Sequence, residues 1–208
     1  MTIGKRVFDI LLCLWLLLWL GLPILVISIL ILVREGRPIF YRSERMRTPD
    51  QGFTLWKFRT MHAAPENGGV SGGDKQDRIT HFGQFLRRRR LDELPQLWNI
   101  LKGDMSFVGP RPPLRQYVDQ FPELYSQVLK SRPGVTGIAT VFFHGREERL
   151  LAQCKSAAET DRVYARRCIP AKARLDMIYQ RHYSICMDVR LIWLTMARTF
   201  RRGSPSIK

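Results

Sequence analysis

Cysteine and histidine are both scarce in this chain, four of each in 208 residues. Cys13, Cys154, Cys168 and Cys186 form no CxxC pair, and the histidines show no ligand spacing. That argues against a disulfide framework and a zinc site, leaving reduced thiols in a cytosol-facing protein. Acidic residues are few as well: 18 Asp and Glu stand against 34 Lys and Arg, a formal net charge of +16. Such an excess points to a polyanionic partner, whether nucleic acid, an anionic membrane surface or phosphorylated substrates. Composition alone does not choose among them. The glycine-rich stretch "APENGGVSGGDKQD" (64–77) lacks the Gly-Lys-Ser/Thr ending of a P-loop. It is therefore not a nucleotide cradle on that motif, and is expected to be a mobile lid or a linker.

What the chain does have is one long apolar run. Residues 7 to 33 carry Asp9 as their only charge, and these 27 residues exceed the roughly 20 that span a bilayer. The run is too long for a signal-peptide core, and no small-residue cleavage site follows. Lys5 and Arg6 precede it while Arg34 and Arg37 follow, so basic flanks give no orientation. Pro23 lies past the midpoint, where it removes a helix hydrogen bond and kinks the chain. Two geometries stay open on these residues: a helix bent at Pro23 that re-enters one leaflet, and a kinked helix that crosses.

After the anchor, "RPIFYRSERM" (37–46) and "GFTLWKFRTM" (52–61) flank a turn-prone Thr48–Gly52 and predict a β-hairpin. Arg42, Arg45, Lys57 and Arg59 lie on it among aromatic residues. From residue 79 to 90 a helix is expected, with Phe82, Phe85 and Leu86 facing inward. "RRRRLDELPQLWNILKGDMSFVGPRP" (87–112) then sets four arginines against the adjacent carboxylates Asp92 and Glu93. Pro95 fits the first turn of a new helix, so Asp92 is expected at or near its N-cap. Leu94, Leu97, Trp98 and Leu101 would form the apolar stripe, and Gly103 the stop. Capping alone accounts for a lone Asp there. The same helix start would also attract phosphate, and the arginines would keep Asp92 ionised, as a carboxylate nucleophile must be.

"GDMSFVGPRP" (103–112) presents Asp104 and Arg111 in a proline-pinned loop from which a guanidinium fork could meet a diphosphate. "SRPGVTG" (131–137) is expected to be another turn. Residues 146 to 168 suggest one polar helix. Beyond Pro170, Leu175, Ile178, Tyr179, Val189, Trp193, Met196 and Phe200 recur at helical spacing, which fits either core packing or amphipathic helices in a membrane interface.

"KRVFDI", "KFRTM", "LDELPQLWNILKGDMSFVGPRP" and "RPGVTG" together resemble, in order, the bacterial sugar transferases, small monotopic phosphoglycosyl transferases that act on polyprenol phosphate. The resemblance implies an α+β, helix-rich chain. It would comprise a re-entrant membrane anchor bent at Pro23 (1–36) and a catalytic domain (37–208) with a short β-hairpin, a helical body and interfacial amphipathic helices. It further implies transfer of a sugar 1-phosphate from a UDP-sugar to polyprenol (undecaprenyl) phosphate, with UMP released. Asp92 would be the nucleophile of a covalent phosphosugar intermediate, and Asp92 and Glu93 would hold Mg²⁺. Lys57, Arg59, Arg87, Asp104 and Arg111 would be the substrate-binding groups beside them. The expected location is the cytoplasmic face of the bacterial inner membrane, against anionic phospholipid, in the first membrane step of glycoconjugate assembly. Nucleic acid is not an expected partner, and a homodimer is compatible. Here Leu22 precedes Pro23 where the family often has serine, and "IATV" follows "RPGVTG" where Trp-Ala-Gln-Val is common. The competing reading is a membrane-tethered basic protein that binds anionic lipid or nucleic acid; it explains the charge and gives no reason for the Asp92–Glu93 pair.

Overall fold

In the computed structural model, which describes residues 2–62 and 78–203, the apolar run is one continuous helix, α1 (Ile3–Glu35), with Pro23 inside it. Its length and hydropathy suffice to cross a membrane. Both of its ends are nevertheless fastened to the rest of the chain. Near the start, Lys5 Nζ lies 2.6 Å from Asp188 and 3.4 Å from Asp9, all three buried. Arg6 donates to the carbonyl oxygens of Ile100 and Leu101 at 2.6 and 2.7 Å. Near the end, Ile27 and Ile31 pack with Phe58 and Leu86. There the Arg59 guanidinium donates to the carbonyls of Glu35 and Gly36 at 2.7 and 2.8 Å, which have no partner within the helix. Between the ends, Leu14, Trp15, Leu18, Trp19 and Leu22 are exposed.

The expected hairpin is present. β1 (Phe40–Met46) runs antiparallel to β2 (Gly52–Phe58), with Tyr41 opposite Lys57 and Arg45 opposite Phe53. Its turn is closed by the Thr48 hydroxyl accepting from the Gln51 amide at 3.0 Å. Phe53, Leu55 and Phe58 are buried. The glycine-rich stretch 64–77 lies outside the described residues. α2 (His81–Arg88) follows, capped by the Thr80 hydroxyl on the Gly83 amide. Leu86 is buried as expected, but Phe85 is exposed.

Asp92 does not cap the next helix. It sits in a 3₁₀ turn, Leu91–Glu93, and Pro95 itself is the N-cap of α3 (Gln96–Lys102). Arg90 explains the difference: its left-handed φ of 56° turns the chain just before the carboxylates. Leu94 is then already helical despite preceding a proline, with φ −54° and ψ −37°, and the 3₁₀ turn feeds into α3. Leu97 and Ile100 are buried, whereas Trp98, expected inward, is exposed. Gly103 ends α3 as expected, at φ 93°.

The two Pro-Gly motifs, expected to be a loop and a separate turn, instead form a parallel pair. β3 (Ser106–Val108) precedes α4 (Arg115–Gln120) and α5 (Pro122–Val128), and β4 (Gly134–Thr136) returns beside it, Ser106 against Gly134 and Val108 against Thr136. Glycine is required at the contact. A Cβ on Gly109 would meet the Arg132 carbonyl oxygen at 2.1 Å, and one on Gly134 the Gly109 nitrogen at 2.2 Å. A pairing across two intervening helices leaves no local trace beyond those glycines.

The C-terminal third is α6 (Ile138–Phe142), α7 (His144–Leu151), α8 (Ala157–Val163), a π turn at Tyr164–Cys168, α9 (Ile169–Arg181) and α10 (Ile185–Gly203). The single polar helix expected over 146–168 is thus two helices and a π turn. The chain breaks after Leu151, and the Ser156 hydroxyl restarts it by accepting from the Glu159 amide. Tyr179 and Leu191 join the main core with Cys13, Leu55, Ile100 and Val108. On α10, Ile185, Val189, Trp193 and Met196 are exposed at helical spacing.

Lys5→Met would leave Asp9 and Asp188 buried together without their cation. Breaking such a group costs about 3–5 kcal/mol, so a much lower Tm in detergent is expected; an unchanged Tm would show that the lysine does not secure α1.

Candidate active site

The 3₁₀ turn sets Asp92 and Glu93 beneath the hairpin. Lys57 on β2 reaches both carboxylates, 3.0 Å from Glu93 Oε1 and 3.9 Å from Asp92 Oδ2. Arg90 turns back on its own segment and holds Glu93 Oε2 through Nε at 3.0 Å and Nη2 at 2.5 Å. Its Nη2 also donates to the Val135 carbonyl on β4 at 3.2 Å. The left-handed backbone of Arg90, unfavourable by about 1–2 kcal/mol for a residue with a Cβ, is therefore locked from two sides. Arg111, just past the β3–β4 pair, brings Nη1 to 3.9 Å from Glu93 Oε1. A cleft opens among Arg45, Leu55, Lys57, Glu93, Gln96, Arg111 and Val135.

The two carboxylates have different surroundings. Burial works against charge on Glu93, but Lys57, Arg90 and Arg111 outweigh it and hold its carboxyl well below the usual range. Glu93 is a fixed anion, with both oxygens on cations. Burial likewise pushes Asp92 up, and here it prevails, aided by the adjacent Glu93 charge and opposed by Lys57, Arg87 and Arg90. The nearer cation, Lys57, stands 3.9 Å from Asp92, beyond hydrogen-bond length. Asp92 is thus the less satisfied carboxylate, and its charge depends on the cations around it.

Of the residues singled out in the sequence, Asp92, Glu93, Lys57 and Arg111 come together. Arg87 is part of the surroundings: its Nε donates to Thr60 Oγ1 at 2.8 Å, and its charge lowers the Asp92 carboxyl. Arg59 caps α1, as described above. Asp104 accepts from Asn99 Nδ2 at 3.2 Å and lies 3.7 Å from Lys102; no group of the pair is among its contacts. Pro23 lies far along the chain, exposed on α1.

Three contributors were not among those candidates. Arg90 was noted only as part of a basic run, and its left-handed turn has no sequence signature. Arg45 shares one hairpin face with Lys57, since residues 41 and 45 project together and stand opposite 57 and 53; a period-two reading of the hairpin finds it. Burial and the neighbouring Arg111 charge lower its affinity for the proton, so an anion in the cleft would relieve the Arg45 guanidinium. Asn99 is buried, accepting from the Trp56 amide at 3.1 Å and donating to the Thr54 carbonyl at 2.7 Å. It fixes β2, and so Lys57, over α3.

No group of three or more His, Cys, Asp or Glu side chains that could hold a metal occurs among the described residues. Asp92 and Glu93 offer two adjacent carboxylates. Mg²⁺ keeps several waters and takes one or two carboxylates together with substrate phosphates; Asp92 is the one of the two that does not already have both oxygens on cations.

Residues 1–202 match the bacterial sugar transferase family. The chain is 33% identical over 203 residues to a UDP-glucose:undecaprenyl-phosphate glucose-1-phosphate transferase of Xanthomonas campestris pv. campestris, covering 95% of this chain and 39% of that protein. It is 36% identical over 212 residues to an exopolysaccharide production protein of Rhizobium leguminosarum bv. phaseoli, covering 96% of both. A UDP-N-acetylgalactosamine-undecaprenyl-phosphate N-acetylgalactosaminephosphotransferase of Aeromonas hydrophila is 33% identical over 182 residues, 85% of this chain and 38% of that one. The chain therefore spans about two fifths of the longer relatives. It belongs to the bacterial sugar transferase family.

Lys57→Met removes the cation that most strongly favours charge on Asp92. Because the Asp92 carboxyl is already raised, it takes up its proton at higher pH than an exposed aspartate as pH falls. The variant should move that titration to still higher pH, followed at the carboxyl carbon by ¹³C NMR with Asp92→Asn assigning the resonance. A titration unmoved by the substitution would remove Lys57 from this role.

Proposed function

We propose that this bacterial sugar transferase moves a sugar 1-phosphate from a UDP-sugar to polyprenol phosphate, of the undecaprenyl type, at the cytoplasmic face of the bacterial membrane. The products would be UMP and a polyprenyl-diphospho-sugar, the first membrane-bound intermediate of a glycoconjugate. The observation that carries this reading is the division within the carboxylate pair: Glu93 is taken up by three cations, while among the described residues Asp92 has one ion-pair partner, Lys57, at 3.9 Å. The relatives named for undecaprenyl-phosphate sugar-phosphate transfer support the same reaction.

In the first step an Asp92 carboxylate oxygen attacks the sugar-bearing phosphorus. The bond from that phosphorus to the oxygen shared with UMP breaks, and UMP leaves with the electron pair. Asp92 then carries the phosphosugar. In the second step a phosphate oxygen of the polyprenol phosphate attacks the same phosphorus. The aspartyl O–P bond breaks and the carboxylate is restored. Arg111, Arg45 and Lys57 offset the phosphate charge as it approaches, and Glu93 keeps Lys57 and Arg90 in place. Asp92 and Glu93 would hold Mg²⁺, which when bound supplies further neutralisation of phosphate charge.

The same reading takes α1 as re-entrant and the protein as monotopic. Support comes from the tethering of both ends to one body: Lys5 and Arg6 at the start, Arg59 and Ile31 at the finish. A crossing helix would put its two ends, and the groups of the one body that hold them, on opposite faces of the bilayer. The exposed apolar band of α1 and the Ile185–Val189–Trp193–Met196 face of α10 offer surfaces for lipid. The net charge of +16 suits anionic headgroups.

Purified protein with Mg²⁺, polyprenol phosphate and a panel of UDP-sugars should release UMP. Release of UDP would indicate glycosyl transfer instead, and no turnover with any donor would favour a binding protein. Asp92→Asn should abolish transfer, by orders of magnitude beyond the effect of a lost hydrogen bond of about 1 kcal/mol, while the protein still folds and joins the membrane. Glu93→Gln should be severely impaired. Near-normal turnover of the Asn variant would end the nucleophile assignment.

For the topology, unique cysteines at positions 2 and 206 of a variant lacking the native four should both resist a membrane-impermeant reagent in intact cells. Labelling of position 2 with 206 protected would show a crossing helix. Pro23→Ala should raise that fraction by restoring the helix hydrogen bond that the proline removes.

A further inference from the structure

A second pocket lies away from the Asp92 cleft and shares no lining residue with it. Phe143 and the α7 residues Arg146 and Leu150 form one wall; Arg167 of the π turn, with Ala171 and Arg174 of α9, forms the other. It is a half-open hollow of about 400 Å³. The floor is apolar, with Phe143 buried and Leu150 and Ala171 half-buried. The rim carries three exposed guanidiniums, none of which has a hydrogen bond or ion pair among the described residues.

The two carboxylates of α7 have other neighbours. Glu147 receives Lys172 Nζ on both oxygens at 3.1 Å, and Glu148 lies 3.4 Å from His144. Lys172 also donates to the Tyr164 hydroxyl at 3.2 Å, so the pairing ties α7 to the π turn and α9 and holds the two walls together. The π turn sets the phase: from it, Arg167, Ala171 and Arg174 follow at i, i+4 and i+7 on one face. Three like charges held around one apolar hollow repel one another, and a bound anion reverses the sign of that energy.

We infer that this pocket is a second anion site, which takes a phosphate ester bearing an apolar or aromatic group. The guanidiniums hold the phosphate bidentately, and Phe143, Leu150 and Ala171 receive the rest. An anionic phospholipid and a nucleotide share that chemistry. The inference does not depend on the transfer reaction, and the Asp92→Asn protein can be used throughout.

The test is arginine footprinting with phenylglyoxal on full-length protein in nanodiscs, read by mass spectrometry at each arginine. Arg166, exposed in the same turn but outside the pocket, is the internal reference. The arms are phosphatidylcholine alone, phosphatidylcholine with phosphatidylglycerol, and phosphatidylcholine with saturating UDP or inorganic phosphate. A severalfold fall in reactivity at Arg167 and Arg174 with Arg166 unchanged is expected. Its appearance with phosphatidylglycerol identifies a lipid headgroup, and its appearance with UDP identifies a nucleotide. The Arg167→Gln/Arg174→Gln variant should then lose the protection at Arg146. Equal reactivity in every arm overturns the inference, as does a parallel fall at Arg166, which marks diffuse attraction to the membrane. Protection by inorganic phosphate as strong as by either ester overturns the apolar half of the site.

Discussion

One buried lysine organises the relation between the membrane helix and the rest of the chain. Lys5 faces Asp188 on α10 and Asp9 on its own helix. Asp9 in turn accepts from the Phe107 amide on β3, and Tyr179 on α9 donates to Asp188 at 2.7 Å. Four elements thus meet at one cation. Charges removed from water are costly unless paired and hydrogen-bonded, and removing one partner leaves the others exposed to the full penalty. The arrangement can therefore exist only with α1 docked. It fastens the start of a segment apolar enough for lipid to the rest of the chain while most of its apolar face stays exposed.

From this anchorage the site follows through a short chain of contacts. Arg6, one residue on, caps the end of α3 through Ile100 and Leu101. Asn99 of the same helix grips β2 on either side of Leu55, and β2 delivers Lys57. The parallel β3–β4 pair delivers Arg111 on one side and, through Val135, a hold on Arg90 at the other. The cations around Asp92 and Glu93 thus come from a hairpin, a turn and a parallel pair, and Glu93 holds Lys57 and Arg90 in place between them. Such fixed charges need little reorganisation when a phosphate arrives.

The asymmetry between the two acids follows from the same placement. Adjacent residues of a tight turn point apart, so Glu93 is enclosed by Lys57, Arg90 and Arg111 while Asp92 has Lys57 only at 3.9 Å. Glu93 carries the electrostatic order of the site. Asp92, buried and less well paired, has the higher affinity for a proton and the freer oxygens. Two adjacent carboxylates can therefore differ in charge state and in pairing although they share one turn.

Features that depend on a few consecutive residues were legible in the sequence. The apolar run, the hairpin and the Gly103 stop follow from hydropathy and turn chemistry, while the grouping of Lys57 and Arg111 with Asp92 and Glu93 came only from the family resemblance, which put Arg59, Arg87 and Asp104 beside them as well. What tertiary structure decided was long-range or set by a single dihedral. Arg90 adopts a left-handed turn, and Asp92 in consequence lies in a 3₁₀ turn rather than at a cap. Two glycine motifs pair in parallel across α4 and α5. Trp98 faces outward and Ile100 inward, because the docked α1 and β2 choose the buried face of α3. Arg59, a basic residue beside the site by motif, spends its guanidinium on the end of α1. In each case propensity and periodicity describe a residue's immediate neighbours along the chain, while the outcome depended on groups tens of residues away whose position exists only once the chain has folded.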